Sequence, residues 1–189
     1  MENEVKKISE QFGRKTVLLP NNLNSDCYAV YSKEEYKNSD KLLTVDGKNY
    51  KHRLYFYKRV SKKSDKILTF IFLNPGYSTH KKQNSEIRKC EEIAQTNGYG
   101  AIEIFSVFTL RTIDKIDAVS EDAILDVARA DLSKNDIVLA YGDKIKRTAK
   151  YKNISSKDLR KINKVREIKI NTVTKHYHYY IFLSLFQLL

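Results

Sequence analysis

Alternating apolar and polar stretches divide the middle of the chain into short strands and helices. Ile67–Leu73 is an almost continuous apolar run, which is typical of a strand covered on both faces. Ser85–Thr96 has helical periodicity instead, with one apolar face formed by Ile87, Cys90, Ile93 and Ala94. The dipeptide Asn97-Gly98 is a typical helix end. The pattern therefore predicts a strand, a loop and then a helix.

The same pattern of apolar and polar positions predicts further strands at Cys27–Tyr31, Arg53–Val60, Ala101–Phe108 and Asp136–Gly142. Further helices are predicted at 120–132 and from Lys144 towards Tyr151, and a turn at Asp46-Gly47. Strands and helices alternate from Ile67 onward, which favours a parallel sheet. We therefore predict a three-layer α/β/α fold with a central, mainly parallel sheet.

Length and composition fit one intracellular domain. The 189 residues predict a single domain over 1–189, with a polar lead-in at 1–25, a core at 53–142 and a basic part at 143–189. Two cysteines exclude a disulfide-dense scaffold and predict a reduced, cytoplasmic setting. The most apolar stretch, Tyr179–Leu189, is about half of the roughly 20 residues that a membrane-spanning helix needs. We expect no membrane association.

The net charge of +12 favours a polyanionic partner, most simply DNA. Positive residues cluster between Lys144 and Lys169, where few acidic residues oppose them. This cluster is a candidate contact surface for the phosphate backbone, and a solvated helix face is the alternative. The candidate nucleic-acid-binding residues are Lys144, Lys146, Arg147, Lys150, Arg160 and Lys161.

Leu73–Thr79 is the sharpest local motif, because it contains Asn74-Pro75-Gly76 directly after a predicted parallel strand. Ligands of open α/β sheets bind at such carboxyl ends. Backbone N–H groups of this loop could hold an anion or a carbonyl oxygen. The alternative is a tight turn in which Asn74 caps the chain.

Histidines and glycines give no sign of a metal or cofactor. His176 and His178 could bind a metal on one strand face, but no acidic or cysteine residue lies near them in sequence. An ordinary aromatic-rich segment is the simpler interpretation. The sequence has no phosphate-binding or dinucleotide-binding glycine motif. We predict neither a metal nor a cofactor.

From about Arg53 to Gly142 the chain resembles the domain-of-unknown-function family numbered 1643. The matching segments occur in order and cover about half of the chain. They are Phe72–Pro75, Ile87–Cys90, Asn97–Gly100, Phe108–Thr112 and Asn135–Gly142.

The order of strand, Asn-Pro-Gly loop, helix and strand also resembles the uracil-DNA glycosylase superfamily. The resemblance implies that Asn74 positions the hydrolytic water and that the backbone of the following loop contacts a flipped base. The implied loop residues are Pro75, Gly76, Tyr77 and Ser78. Asn84 is similar to an asparagine that begins the next helix in that superfamily, and His176 is the candidate for its C-terminal catalytic position.

These observations predict a monomeric DNA-binding enzyme that hydrolyses the N-glycosidic bond of uracil or a related base. Tyr77 or Phe105 could stack on the base, and Asn84 could recognise its edge. One alternative is a glycosylase-like protein that binds nucleic acid without catalysis. An enzyme acting on a free nucleotide or nucleoside is a further alternative.

Overall fold

The computed structural model describes Glu10 and residues 15–21, 25–36, 44–106, 108–112 and 136–140. These residues form a mixed α/β unit with a six-stranded sheet. In chain order its elements are β1 (Thr16–Leu19), β2 (Cys27–Ser32), β3 (Arg53–Arg59), β4 (Ile67–Phe72), α1 (Ser85–Thr96), β5 (Ala101–Ser106) and β6 (Asp136–Leu139). β1 lies inside the segment that was predicted as a polar lead-in.

The strands lie in the order β1-β2-β3-β5-β4-β6. β4 is parallel to both β5 and β6, whereas the pairs β1–β2, β2–β3 and β3–β5 are antiparallel. The prediction of a mainly parallel sheet is therefore wrong, because three of the five strand pairs are antiparallel. The lengths of the chain segments that connect the strands explain this difference. A parallel pair needs a long crossover, usually a helix, and only seven residues, 20–26, separate β1 from β2.

α1 confirms the predicted helix and packs on one face of the sheet. Its buried residues Ile87, Cys90 and Ala94 join a core cluster with apolar side chains of β3, β4 and β5. Asn84 is the N-cap and Asn97 the C-cap, and Gly98 follows with φ of 77°. That backbone conformation is the one that glycine adopts most easily after a helix. Among the described residues α1 covers this face, and the predicted three-layer arrangement remains a prediction.

The predicted turn at Asp46-Gly47 is confirmed. Both residues have positive φ, 50° and 80°, as a two-residue hairpin turn requires. Val45 and Lys48 exchange backbone hydrogen bonds of 2.8 and 3.0 Å across it. The turn brings the Asp46 carboxylate to 2.5 Å from Lys81 Nζ.

A register shift between Val30 and Tyr31 interrupts the pairing of β2 with β3. Ala29 pairs with Phe56, but Tyr31 pairs with Arg53. Because alternate residues of β2 share a face, the shift brings Arg53 to the same face as Phe56, three residues later. The Arg53 guanidinium carbon consequently lies 5.3 Å from the centroid of the Phe56 ring.

No helix in the described part of the chain is long and apolar enough to cross a membrane.

Candidate functional site

The candidate site lies at one edge of the sheet, which we call the carboxyl edge because β4, β5 and β6 all end there. Since β3 runs antiparallel to β5, it begins at this edge. Two backbone hydrogen bonds of 2.9 Å tie the segments together, from the Phe108 amide to the Leu73 carbonyl and from the Arg53 amide to the Thr109 carbonyl. The edge therefore gathers residues that are far apart in sequence.

Asn74 is the first polar residue after β4, it is half-buried, and a hydrogen bond fixes the orientation of its side chain. Its Nδ2 atom donates a hydrogen bond of 3.1 Å to the Thr112 carbonyl oxygen, in the segment that follows β5. No donor to Asn74 Oδ1 occurs among the residues that the structure describes. Because the amide group has one donating and one accepting end, the oxygen is left to accept a hydrogen bond from a bound molecule such as water.

Pro75, Gly76, Tyr77 and Ser78 form the loop that follows. Gly76 has φ of 58°, and no atom lies within 4 Å of where its Cβ would be. Backbone conformation, not crowding, therefore requires glycine there. The amides of Gly76 and Tyr77 donate to no acceptor in the described part of the chain. The loop thus offers backbone donors beside the Asn74 side chain.

Ser78 and Asn84 connect this loop to α1. The Asn84 amide donates to Ser78 Oγ at 3.2 Å. Asn84 Oδ1 accepts from the Ile87 amide at 3.1 Å, and Asn84 Nδ2 donates to Glu86 Oε2 at 3.1 Å. Both polar ends of the Asn84 side chain therefore serve the start of the helix.

We expect Asn84→Ala to lower stability and Asn84→Ser to retain it. Serine accepts the Ile87 hydrogen bond as an N-cap, whereas loss of an N-cap costs about 1 kcal/mol. For a chain of this length that is a fall in Tm of about 2–4 °C, measurable by circular dichroism. Equal Tm values for wild type and Asn84→Ala would contradict a capping role.

The other predicted site residues are placed as follows. Tyr77 is half-buried in the loop. Phe105 is buried within β5 and packs edge-on against Tyr55, with ring centroids 5.2 Å apart. The structure thus brings Asn84 to the Asn74 loop and leaves Phe105 in the sheet. His176 and the basic residues Lys144, Lys146, Arg147, Lys150, Arg160 and Lys161 lie outside the described residues.

Two buried arginines at the carboxyl edge were not predicted. Arg53 is 2% exposed and Arg111 is fully buried. Arg53 Nη1 donates to the Ser78 carbonyl at 2.9 Å, and Arg111 Nη1 donates to the Tyr50 carbonyl at 3.1 Å. Burial lowers the pKa of Arg53 to about 10, so the guanidinium is still charged at neutral pH. Arg53 therefore places a positive charge directly behind the Asn74 loop.

Tyr31 lies between the two arginines. It pairs with Arg53 across β2 and β3, and the Arg111 guanidinium carbon lies 5.3 Å from the centroid of its ring. Burial raises the pKa of the Tyr31 hydroxyl, while Arg53, Arg111 and the backbone amide of His80 act in the opposite direction. The hydroxyl therefore stays protonated and can donate a hydrogen bond.

His80 ends the loop as a buried imidazole. Its Nε2 atom is 3.7 Å from Asp46 Oδ2. Burial lowers its pKa; the Asp46 carboxylate opposes this shift and the Lys81 ammonium adds to it. Since the folded protein disfavours the charged imidazole, protonation favours the unfolded chain.

The pKa shift of His80 predicts that stability falls as pH drops below about 6.5, the ordinary histidine pKa. The loss continues until pH passes the lowered pKa of the folded state. Above 6.5 the contribution is fully present. Urea midpoints at pH 7.5 and 5.5 should differ less in His80→Gln than in wild type, and equal differences in the two proteins would refute the assignment.

Among the described residues, no three His, Cys, Asp or Glu side chains are grouped as a metal site requires. No curated protein and no solved structure shows a significant match to the chain. One family model does match, over residues 53–179, from the first residue of β3 past the end of β6. Since this match covers well over half of the chain, the protein belongs to the family described as Protein of unknown function (DUF1643).

Proposed function

We propose that the protein is a DNA-binding base-excision enzyme that hydrolyses the N-glycosidic bond of uracil or a related base. The observation that carries this proposal is the Asn74 amide group. Its nitrogen donates to the Thr112 carbonyl, and no residue in the described part of the chain donates a hydrogen bond to its oxygen. A fixed amide oxygen can orient a water molecule for attack on a sugar carbon.

The loop after Asn74 supports the same chemistry. Cleavage of a glycosidic bond passes through an oxocarbenium-like state and leaves negative charge on the departing base. The unused amides of Gly76 and Tyr77 could donate to that base as the charge develops. An asparagine is a weak base, so the mechanism suits a base such as uracil that departs as a stabilised anion.

DNA binding forms part of the proposal through the net charge of +12. The basic residues between Lys144 and Lys169 would contact the phosphate backbone while one nucleotide leaves the base stack. The full proposal also includes the three-layer glycosylase-like fold, a cytoplasmic monomer, and catalysis without a cofactor.

The test uses labelled oligonucleotides that carry one uracil, as a single strand and as a duplex. After incubation with the full chain, alkali cleaves any abasic site, and gel electrophoresis measures the product. Uracil-dependent cleavage supports the proposal. An oligonucleotide that remains intact, at protein concentrations that saturate binding, refutes excision of uracil.

A second candidate function is DNA binding without catalysis. Two contacts favour it: both polar ends of Asn84 serve the helix N-terminus, and Phe105 is buried against Tyr55. These two residues would then be unavailable to a flipped base. Salt-sensitive binding of the same oligonucleotides without cleavage of uracil or of other damaged bases would identify this function.

A further inference from the structure

The carboxyl edge contains buried hydrogen-bond donors that have no acceptor. Arg53 Nη2 is buried and has no hydrogen-bond partner among the described residues. The proton of the Tyr31 hydroxyl likewise has no acceptor there. Buried polar groups in folded proteins are almost always satisfied by protein, water or ligand. These two donors belong to residues that are paired across β2 and β3. Both donors are therefore part of the same region of the carboxyl edge.

Arg53 carries a positive charge at this place, and the nearby Glu86 carboxylate favours that charge without forming an ion pair with it. The ion pairs found in the described part of the chain do not include Arg53. Arg111, stacked over the Tyr31 ring, adds a second guanidinium, and its proximity opposes the charge on Arg53. A buried guanidinium is costly unless an anion accompanies it.

We propose that Arg53 and Tyr31 form a binding site for a tetrahedral oxyanion of the phosphate class, behind the Asn74 loop. Arg53 Nη2 and the Tyr31 hydroxyl would donate to two oxygens of the anion, and the Arg111 guanidinium would add attraction. The planar fork of arginine matches the oxygens of a phosphate group. This site does not depend on excision of a base.

The loop explains how the anion would be enclosed. Arg53 Nη1 already holds the Ser78 carbonyl at 2.9 Å, so the same guanidinium would join the loop to the anion. Asn74, Gly76 and Tyr77 belong to the same loop and are half-buried. A bound anion would therefore hold the loop closed against the edge of the sheet.

Isothermal titration calorimetry of the full chain tests the site, with total ionic strength held constant by chloride. The probes are inorganic phosphate, thymidine 5′-monophosphate with thymidine as its control, and an oligonucleotide without a terminal phosphate. We expect saturable binding of at least one phosphate probe. Which one binds distinguishes a free anion, a terminal phosphate and a backbone phosphate.

Variants assign the binding to the proposed residues. Arg53→Gln should weaken binding about tenfold or more, the loss expected for a charged hydrogen-bond partner. Arg59→Gln changes a half-buried arginine at the opposite end of the same strand and should leave binding unchanged. If Arg53→Gln does not fold, as judged by circular dichroism, Tyr31→Phe takes its place, with several-fold weaker binding expected.

Three results overturn the proposal. One is the absence of saturable binding of every phosphate probe by the wild type. Another is equal weakening by Arg53→Gln and Arg59→Gln, which would mark a general effect of charge. The third is unchanged affinity in the folded variant that is tested. None of these results bears on uracil excision, which is measured separately on the uracil oligonucleotides.

Discussion

Asn74→Ala is expected to reduce uracil excision by about 100-fold or more, the loss typical when a reacting group is no longer correctly positioned. Alanine removes both the oxygen that would orient water and the hydrogen bond to the Thr112 carbonyl. DNA affinity should change little, because the side chain carries no charge. Single-turnover assays with the uracil oligonucleotide measure the rate, and titration at constant salt measures the affinity.

Two further variants serve as a control and as a test of the hydrogen bond that Asn74 donates. Asn21→Ala alters an exposed asparagine outside the site and should retain full activity. Asn74→Asp keeps an accepting oxygen but cannot donate to the Thr112 carbonyl, so it tests whether that hydrogen bond fixes the orientation. An Asn74→Ala protein that is folded and as active as wild type would remove Asn74 from the mechanism.

Gly100→Ala is expected to be the most destabilising single-methyl change at any described glycine. A Cβ at Gly100 would overlap the Ser64 carbonyl oxygen and lie 2.5 Å from its carbon. The backbone there cannot easily move away, because the Gly100 amide donates to the Lys66 carbonyl and its own carbonyl accepts from Val60 and Ser61. We expect a cost of about 3 kcal/mol, which is a fall in Tm of roughly 6–12 °C.

Gly98→Ala is the matched control for this change. Gly98 has φ of 77° but no atom within 4 Å of a new Cβ. Its cost is therefore backbone strain alone, about 1–2 kcal/mol. Thermal unfolding of the two variants separates crowding from strain. Similar Tm values for both would show that the 61–66 turn moves aside at little cost.

The elements themselves could be predicted where periodicity was strong. β4, α1 and β5 lie close to the predicted limits, because a buried apolar run and an amphipathic helix leave clear patterns. Strand direction was harder to predict. The short connection between β1 and β2 signals an antiparallel pair, but β1 itself has only four residues, all half-buried, and its pattern is correspondingly weak.

In the candidate site, too, residues that are contiguous in sequence were easier to predict than residues that only the fold brings together. Asn74 and Gly76 are contiguous in sequence and follow a strand, so their position at the carboxyl edge could be predicted. Arg53 and Arg111 are 58 positions apart and charged residues are usually exposed. Their only local signals are that Arg53 begins an apolar strand and that Arg111 directly follows Phe108–Leu110.

The pairing of β2 with β3 has a practical consequence for expressing shorter versions of this protein. The family match begins at Arg53, the first residue of β3, so a fragment cut there would lose the strand that carries Tyr31. β3 would become an open edge with unpaired backbone groups, and such edges readily recruit a strand from another molecule. A fragment designed on the family limits should therefore aggregate, and a useful one should begin before β1.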